Sequence, residues 1–303
     1  MGTKASDANR ITREYMDSIL ITERLIGSVE PDTETEIFGH KYASPIMMPA
    51  FSHLKPFGEG RENGLVEYAK AAKQKRLLNW IGMCENDAYD EIAAVGVPTV
   101  RIVKPYKDNG KIMDQLLHAQ EAGAVAVGID TDHIFGGNGK YDVVLGEEMT
   151  CQSAKDIERY VSSLRIPFVI KGVLSKEDAA ICLDCGVKGI VVSHHSGRLP
   201  FAVPPLSVLP EIREKVGDKM TVFVDCHIDT GADVFKALAL GADAVSVGRA
   251  MMPALTENGI QGVADYVEGM EKELKMIMAF TGAGNVSGIS RDVLRFTTRI
   301  AGY

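Results

Sequence analysis

Basic blocks, long apolar runs and aromatic residues are all scarce in this chain of 303 residues. Aromatics make up 7%, with a single tryptophan, and 41 acidic residues outnumber 33 basic ones for a formal charge of -8. Without a basic cluster, neither nucleic acid nor an anionic membrane surface is an expected partner. No stretch reaches the roughly 18–20 consecutive apolar residues of a membrane span. The opening segment MGTKASDANR has no apolar core of signal-peptide length, so a cytoplasmic location is the expectation. Five cysteines (Cys84, Cys151, Cys182, Cys185 and Cys226) are odd in number and scattered, which argues for reduced thiols rather than a disulfide framework. Cys182 and Cys185 form a C-x-x-C inside an apolar, helical-looking run, where packing is the simpler reading than redox or metal chemistry. What remains, 46% hydrophobic and 24% charged, is an ordinary globular composition.

One alternation runs along the chain. Short aliphatic runs recur at 45–51, 77–83, 98–106, 124–130, 167–173, 189–195, 220–226 and 244–251. Their near-continuous apolar character suits parallel strands buried on both faces. Between them, amphipathic spacing predicts helices over 62–74, 86–94, 110–122, 153–164, 175–185, 206–216 and 232–240, and a last long one over 260–280. Ser153 and Ser175 each stand three residues before an aspartate, the spacing of a helix start. Eight strand–helix units are the count of a (β/α)8 TIM barrel, of the α/β class. An open doubly wound sheet would need a glycine-rich first turn, and residues 51–58 (FSHLKPFG) are not one. A single domain over 1–303 is expected, with a lead-in at 1–43, the barrel at 44–282 and a C-terminal cover at 283–303.

In such a barrel, chemistry gathers at the carboxyl ends of the strands. Five of the seven histidines fall there: His53, His133, His194, His195 and His227, joined by Asp130, Asp132, Lys171, Arg198 and Asp225. Lys171 ends an apolar run, and a buried ammonium demands an anionic partner. Gly231 at a helix start and the Gly248-Arg249 pair offer backbone N–H groups and a guanidinium of the kind that cradles a phosphate.

At these residues the chain resembles the FMN-dependent α-hydroxy-acid oxidase/dehydrogenase family, which includes glycolate oxidase and lactate oxidase. The likeness runs from about Arg24 to Leu294. VSHHSGR (192–198) is similar to the family's S-N-H-G-G-R, and DTGADVFKALALGADAVSVGR (229–249) to its flavin-phosphate segment. PFVIKGVLSKEDA (167–179), FGHKYASPIMMPA (38–50) and MEKELKMIMAFTGAGNVSGI (270–289) resemble its strand-five lysine, first-strand flavin loop and closing helix. The resemblance implies FMN as cofactor and oxidation of a small 2-hydroxy acid. It makes His195 the general base, Asp130 the carboxylate that steadies it, Arg198 the grip on the substrate carboxylate, and Lys171 the cation beside the flavin ring. Pro49, Ala50, Phe51, Asn79 and Ser193 would line the flavin. Asp225 and His227 would stand near its ribityl chain, with Asp229, Gly248 and Arg249 at the phosphate. Lys104, Tyr106 and His133 would join Arg198 in binding substrate. A homo-oligomer, tetramer or octamer, is implied as well.

Departures from the family pattern cluster on substrate and phosphate positions. Ile102 replaces a flavin-binding glutamine, Lys104 a tyrosine, and the glycines after strand four an arginine. Cys226 and His227 replace two glycines, Asp229 replaces a phosphate-binding arginine, and His194 an asparagine. The family's lead-in tyrosine is expected to be missing. Two other readings compete: a metal-dependent hydrolase, aldolase or isomerase using the histidine–aspartate cluster, and a non-catalytic relative that keeps only phosphate binding. The first lacks tight H-x-H spacing, and no metal is expected.

Overall fold

The protein is described by a computed structural model over residues 4–297. Eight parallel strands lie where the aliphatic runs predict them: β1 (Ile46–Met47), β2 (Asn79–Ile81), β3 (Thr99–Val103), β4 (Ala126–Asp130), β5 (Phe168–Val173), β6 (Gly189–Val192), β7 (Thr221–Val224) and β8 (Ala244–Ser246). They run in the order β1-β8-β7-β6-β5-β4-β3-β2. The seam between the two ends is bridged where the Met48 N–H donates to the Leu78 carbonyl at 3.0 Å, so the sheet curls into the expected barrel. Every residue of β3, β4 and β6 is buried, which is why these runs show no polar alternation.

Helices return the chain between strands, and their starts are set by the capping residues expected. Ser153 accepts from the Asp156 N–H while Asp156 reaches back to Ser153, a full capping box, and Ser175 accepts from the Asp178 N–H. The closing helix Met252–Thr281 starts eight residues earlier than its periodicity suggests. Gly259 breaks the helical dihedrals within it (φ 55°, ψ -132°), so the regular apolar spacing is legible only after that kink.

The floor of the barrel is sealed. A lead-in hairpin of Thr35–Ile37 and His40–Tyr42 carries Phe38 onto Phe223, at 5.9 Å between ring centres, and Phe223 meets Trp80 edge-on at 5.0 Å. Aromatic side chains of this size each stabilise the fold by about 1.5–3 kcal/mol when buried, and their packing leaves no open channel.

The lead-in is more ordered than its sequence suggests. Its helix Ala8–Asp17 is capped by Asp7, and the strand Ile19–Ile21 pairs antiparallel with Leu294–Phe296 of the C-terminal cover. Residues 298–303 of that cover lie outside the described residues. Cys182 and Cys185 are buried free thiols, as a packing role requires, and burial pushes the Cys182 thiol up to about 12. Among the described residues, no helix is long and apolar enough to cross a membrane.

Candidate active site

Pairing of β4 with β5 sets Asp130 directly opposite Lys171 at the carboxyl ends of both strands. Two residues on, Asp132 folds back over β5. It can do so because Gly172 has no side chain: a Cβ there would lie 2.5 Å from the Asp132 Cβ. Gly172 also holds φ at +102°, where the β5–β6 register slips. The result is a chain of alternating charges across the mouth. Lys104 Nζ donates to Asp130 at 2.5 Å and to His133 Nδ1 at 3.0 Å. The Nδ1 of His195 is hydrogen-bonded to Asp132 and lies 3.7 Å from Asp130. Lys171 Nζ donates to Asp132 at 3.1 Å and to Ser193 Oγ at 3.4 Å, and sits 3.5 Å from Asp225.

These contacts decide the protonation states. Burial opposes charge on Asp130, but the Lys104 and Lys171 ammonium groups together with hydrogen bonds from Asp132 and His195 outweigh it and hold the carboxyl well below the usual range. Asp132 moves the other way, pushed up by burial and by the Asp130 charge beside it. Burial disfavours a charged His195, yet hydrogen bonds to the two carboxylates prevail and raise its pKa above the ordinary 6.5. His133 is lowered to about 4 by burial and by Lys104, so it is neutral and free to accept from that lysine. Lys171 stays an ammonium, because Asp132 and Asp225 overcome its burial and hold its pKa well above the usual value.

Asp130 was the expected partner of His195. The structure gives the shorter contact to Asp132, since Lys104 occupies Asp130 from the other side. Arg198 stands near the cluster but is engaged, its Nη2 donating at 2.7 Å both to Asp142 and to the Phe135 carbonyl. Asp142 also lies 3.0 Å from His133 Nε2. Two expected site residues stand elsewhere. Asn79 is fully buried at the start of β2 with its amide on Thr99 Oγ1, away from the mouth. Tyr106 is buried beneath Lys111 and bridges to Met149 in the outer core.

Beside His195 opens a cavity of about 580 Å³. Pro49, Ala50 and Phe51 form an apolar wall and Lys171 an ammonium at its inner end; Gly248, Arg249, His227 and Asp229 stand at the other. A larger cavity of about 650 Å³ opens between Glu34, Arg213 and Asp243, but its arginine is held by Asp243 at 2.5 Å and by the Gly241 carbonyl at 2.7 Å. Size therefore does not pick the site; the unspent donors do. The smaller cavity offers the apolar Pro49–Phe51 wall, the buried Lys171 ammonium, the Arg249 guanidinium and a His227 ring nitrogen that has no partner among the described residues. This donor set fits FMN: ring, electron-rich pyrimidine edge and phosphate.

The lead-in helix borders the same cavity, which the sequence did not announce. Asn9 donates to the Ser196 carbonyl at 2.7 Å and accepts from Arg249 at 3.0 Å. Thr12 Oγ1 is 2.8 Å from His194 Nε2, and Arg13 forms a two-pronged pair with Asp233 at 3.0 and 2.8 Å. Asp130, His133 and His195 are the three described side chains close enough to share a metal ion. The Lys104 ammonium already stands against Asp130 and His133, a position a cation would contest.

A family model described as FMN-dependent dehydrogenase matches residues 1–155 and 144–296. The 4-hydroxymandelate oxidase of Amycolatopsis orientalis is 30% identical over 325 aligned positions, covering 96% of this chain and 90% of that protein. Glycolate oxidase 3 of Arabidopsis thaliana is 28% identical, covering 93% and 86%. An L-lactate dehydrogenase of Caulobacter sp. (strain K31) is 41% identical over 146 residues, 48% of this chain and 38% of that one. A crystal structure of mandelate oxidase superposes with a TM-score of 0.86 at 28% identity over 97% of this chain and 91% of that chain. With its barrel, its cavity and these likenesses in agreement, the chain belongs to the FMN-dependent dehydrogenase family and has FMN as its cofactor.

Proposed function

We propose that this protein oxidises a small 2-hydroxy acid to the 2-oxo acid, with His195 as the general base. The observation that carries the reading is the placement of His195: it lines the FMN-sized cavity while Asp132 occupies its Nδ1, which leaves Nε2 for the substrate. FMN, when bound, supplies the two-electron acceptor. His195 takes a proton from the C2 centre of the substrate at Nε2, and Asp132 and Asp130 stabilise the imidazolium that forms. Lys171 places its ammonium at the inner cavity wall, where negative charge gathers during the reaction. Arg198 holds the substrate carboxylate once Asp142 yields it, with Lys104 and His133 beside it.

Free thiols at all five cysteines support a reducing, cytoplasmic setting. A homo-oligomer, tetramer or octamer, rests on family likeness. The base assignment is tested with His195→Gln. Under anaerobic conditions the variant should keep FMN bound but lose bleaching of the flavin by 2-hydroxy acids. Bleaching at the wild-type rate would overturn the assignment.

A further inference from the structure

The loop after β7 takes an uncommon path. Cys226 and His227 hold φ at +70° and +60°, consecutive left-handed conformations that cost a side-chain-bearing residue of order 1 kcal/mol or more each. The strain is held in place: the Cys226 thiol donates to Asp225 at 2.9 Å, and Arg13 donates to the His227 carbonyl at 3.4 Å. What this path achieves is to put the His227 ring in the wall of the flavin cavity. Its Nδ1 lies 3.5 Å from Asp229, and its Nε2 is buried with no hydrogen-bond partner among the described residues. A buried, unsatisfied ring nitrogen is costly unless something fills it.

The other polar groups here are already spent. His194 is bonded at Nε2 to Thr12 and at Nδ1 to the Gly197 N–H, Arg13 is committed to Asp233, and Lys171 to Asp132 and Asp225. With His195 Nε2 given to the substrate, Arg249, which spends one donor on Asn9, and His227 remain as the groups able to face an anion, and Asp7, Asp225 and Asp229 are the acids of the same cavity. Asp229 alone would repel a phosphate. Its carboxylate instead lies 3.5 Å from the His227 Nδ1, on the side of the ring away from Nε2, and leaves Nε2 as the nitrogen available to a phosphate. Deepening the FMN reading, on which it rests, we propose that His227, positioned by Asp229, is the phosphate-binding residue of this chain, replacing an arginine with a histidine–aspartate pair.

The test separates phosphate from ring by titrating the full chain with FMN and with riboflavin, followed by flavin fluorescence. His227→Asn and His227→Gly both tolerate the left-handed backbone, so the fold is preserved. Each should weaken FMN binding about tenfold, the scale of one charge-assisted hydrogen bond, and leave riboflavin within about twofold. Asp229→Asn alone should weaken FMN binding, yet strengthen it in the His227→Asn background, where only repulsion is left. An unchanged FMN-to-riboflavin ratio in the His227 variants, or tighter FMN binding from Asp229→Asn with His227 intact, would overturn the inference. A wild-type chain that binds neither flavin would instead overturn the flavin reading itself.

Discussion

Replacing Asp132 with asparagine separates the two carboxylates that flank His195. The amide keeps a hydrogen bond to Nδ1 but removes the charge. A charge-assisted bond contributes about 1.5–3 kcal/mol and a neutral one about 0.5–1.5, so the imidazolium loses on the order of 1–1.5 kcal/mol. At about 1.4 kcal/mol per unit, its pKa falls by roughly one. Asp130→Asn should move it in the same direction but by less, because Asp130 is 3.7 Å away, its charge is shared with Lys104, and Asp132 alone is within hydrogen-bond distance of the ring. The working base is the unprotonated ring, and its pKa lies above 6.5 in the folded protein. Flavin reduction in the wild type should therefore rise with pH through a midpoint above 6.5, and Asp132→Asn should move that midpoint towards acid. Lys171 keeps Asp225 at 3.5 Å, so its charge survives the change. Anaerobic rapid mixing of 2-hydroxy acid with the enzyme across pH reads the midpoint directly. A profile unmoved by Asp132→Asn but displaced by Asp130→Asn would refute the assignment of Asp132 as the controlling partner.

Other changes probe the rim and the frame. Arg198→Lys removes two-pronged recognition and should raise the substrate concentration for half-maximal flavin reduction about tenfold, with a smaller effect on the limiting rate; equal half-saturation would place the carboxylate elsewhere. Asp142→Asn frees Arg198 and His133 and should tighten carboxylate binding by about twofold to fivefold, the scale of a partly exposed ion pair, in a titration with a non-reacting 2-oxo acid. Weaker binding would show that Asp142 orients Arg198 rather than competing for it. Asp233→Ala takes one of its two carboxylate partners from Arg13, which keeps Asp17 at 2.8 Å, and removes half of the capping box of the helix after β7, and should cost about 2 kcal/mol by denaturant unfolding. A loss below about 1 kcal/mol would mean that the pair is not holding the lead-in helix.

The barrel was legible because its signals are local. An aliphatic run and a capping serine three residues before an acid each act within a few residues; the run recurs eight times and the capping serine at Ser153 and Ser175. His195 and Lys171 could be placed for the same reason: both sit at ends of apolar runs. Asp132 could not be told from Asp130 in this way, since its position depends on Gly172 forty residues later leaving room for it. Asn79 is placed at the flavin by the family resemblance alone, and its pairing with Thr99 shows that it lies at the start of the strand, away from the mouth. Asp142 lies in a segment with no helical or strand periodicity, and the contacts of Asp142 and Asn9 reach across the chain to Arg198, Ser196 and Arg249.

The helix Ala8–Asp17 reaches three separate loops of the mouth at once, through Asn9, Thr12 and Arg13. It works as a clasp, keeping the histidine loop and the proposed phosphate end of the cavity in step. A polypeptide nicked after Asp17 keeps every hydrogen bond between its eight strands but gives up this fastening, together with the buried Met16 and its carbonyl contact with Lys236. Such a clipped form should melt at a lower temperature, and because its two rim segments are freed first, cofactor retention should fail before the scaffold does.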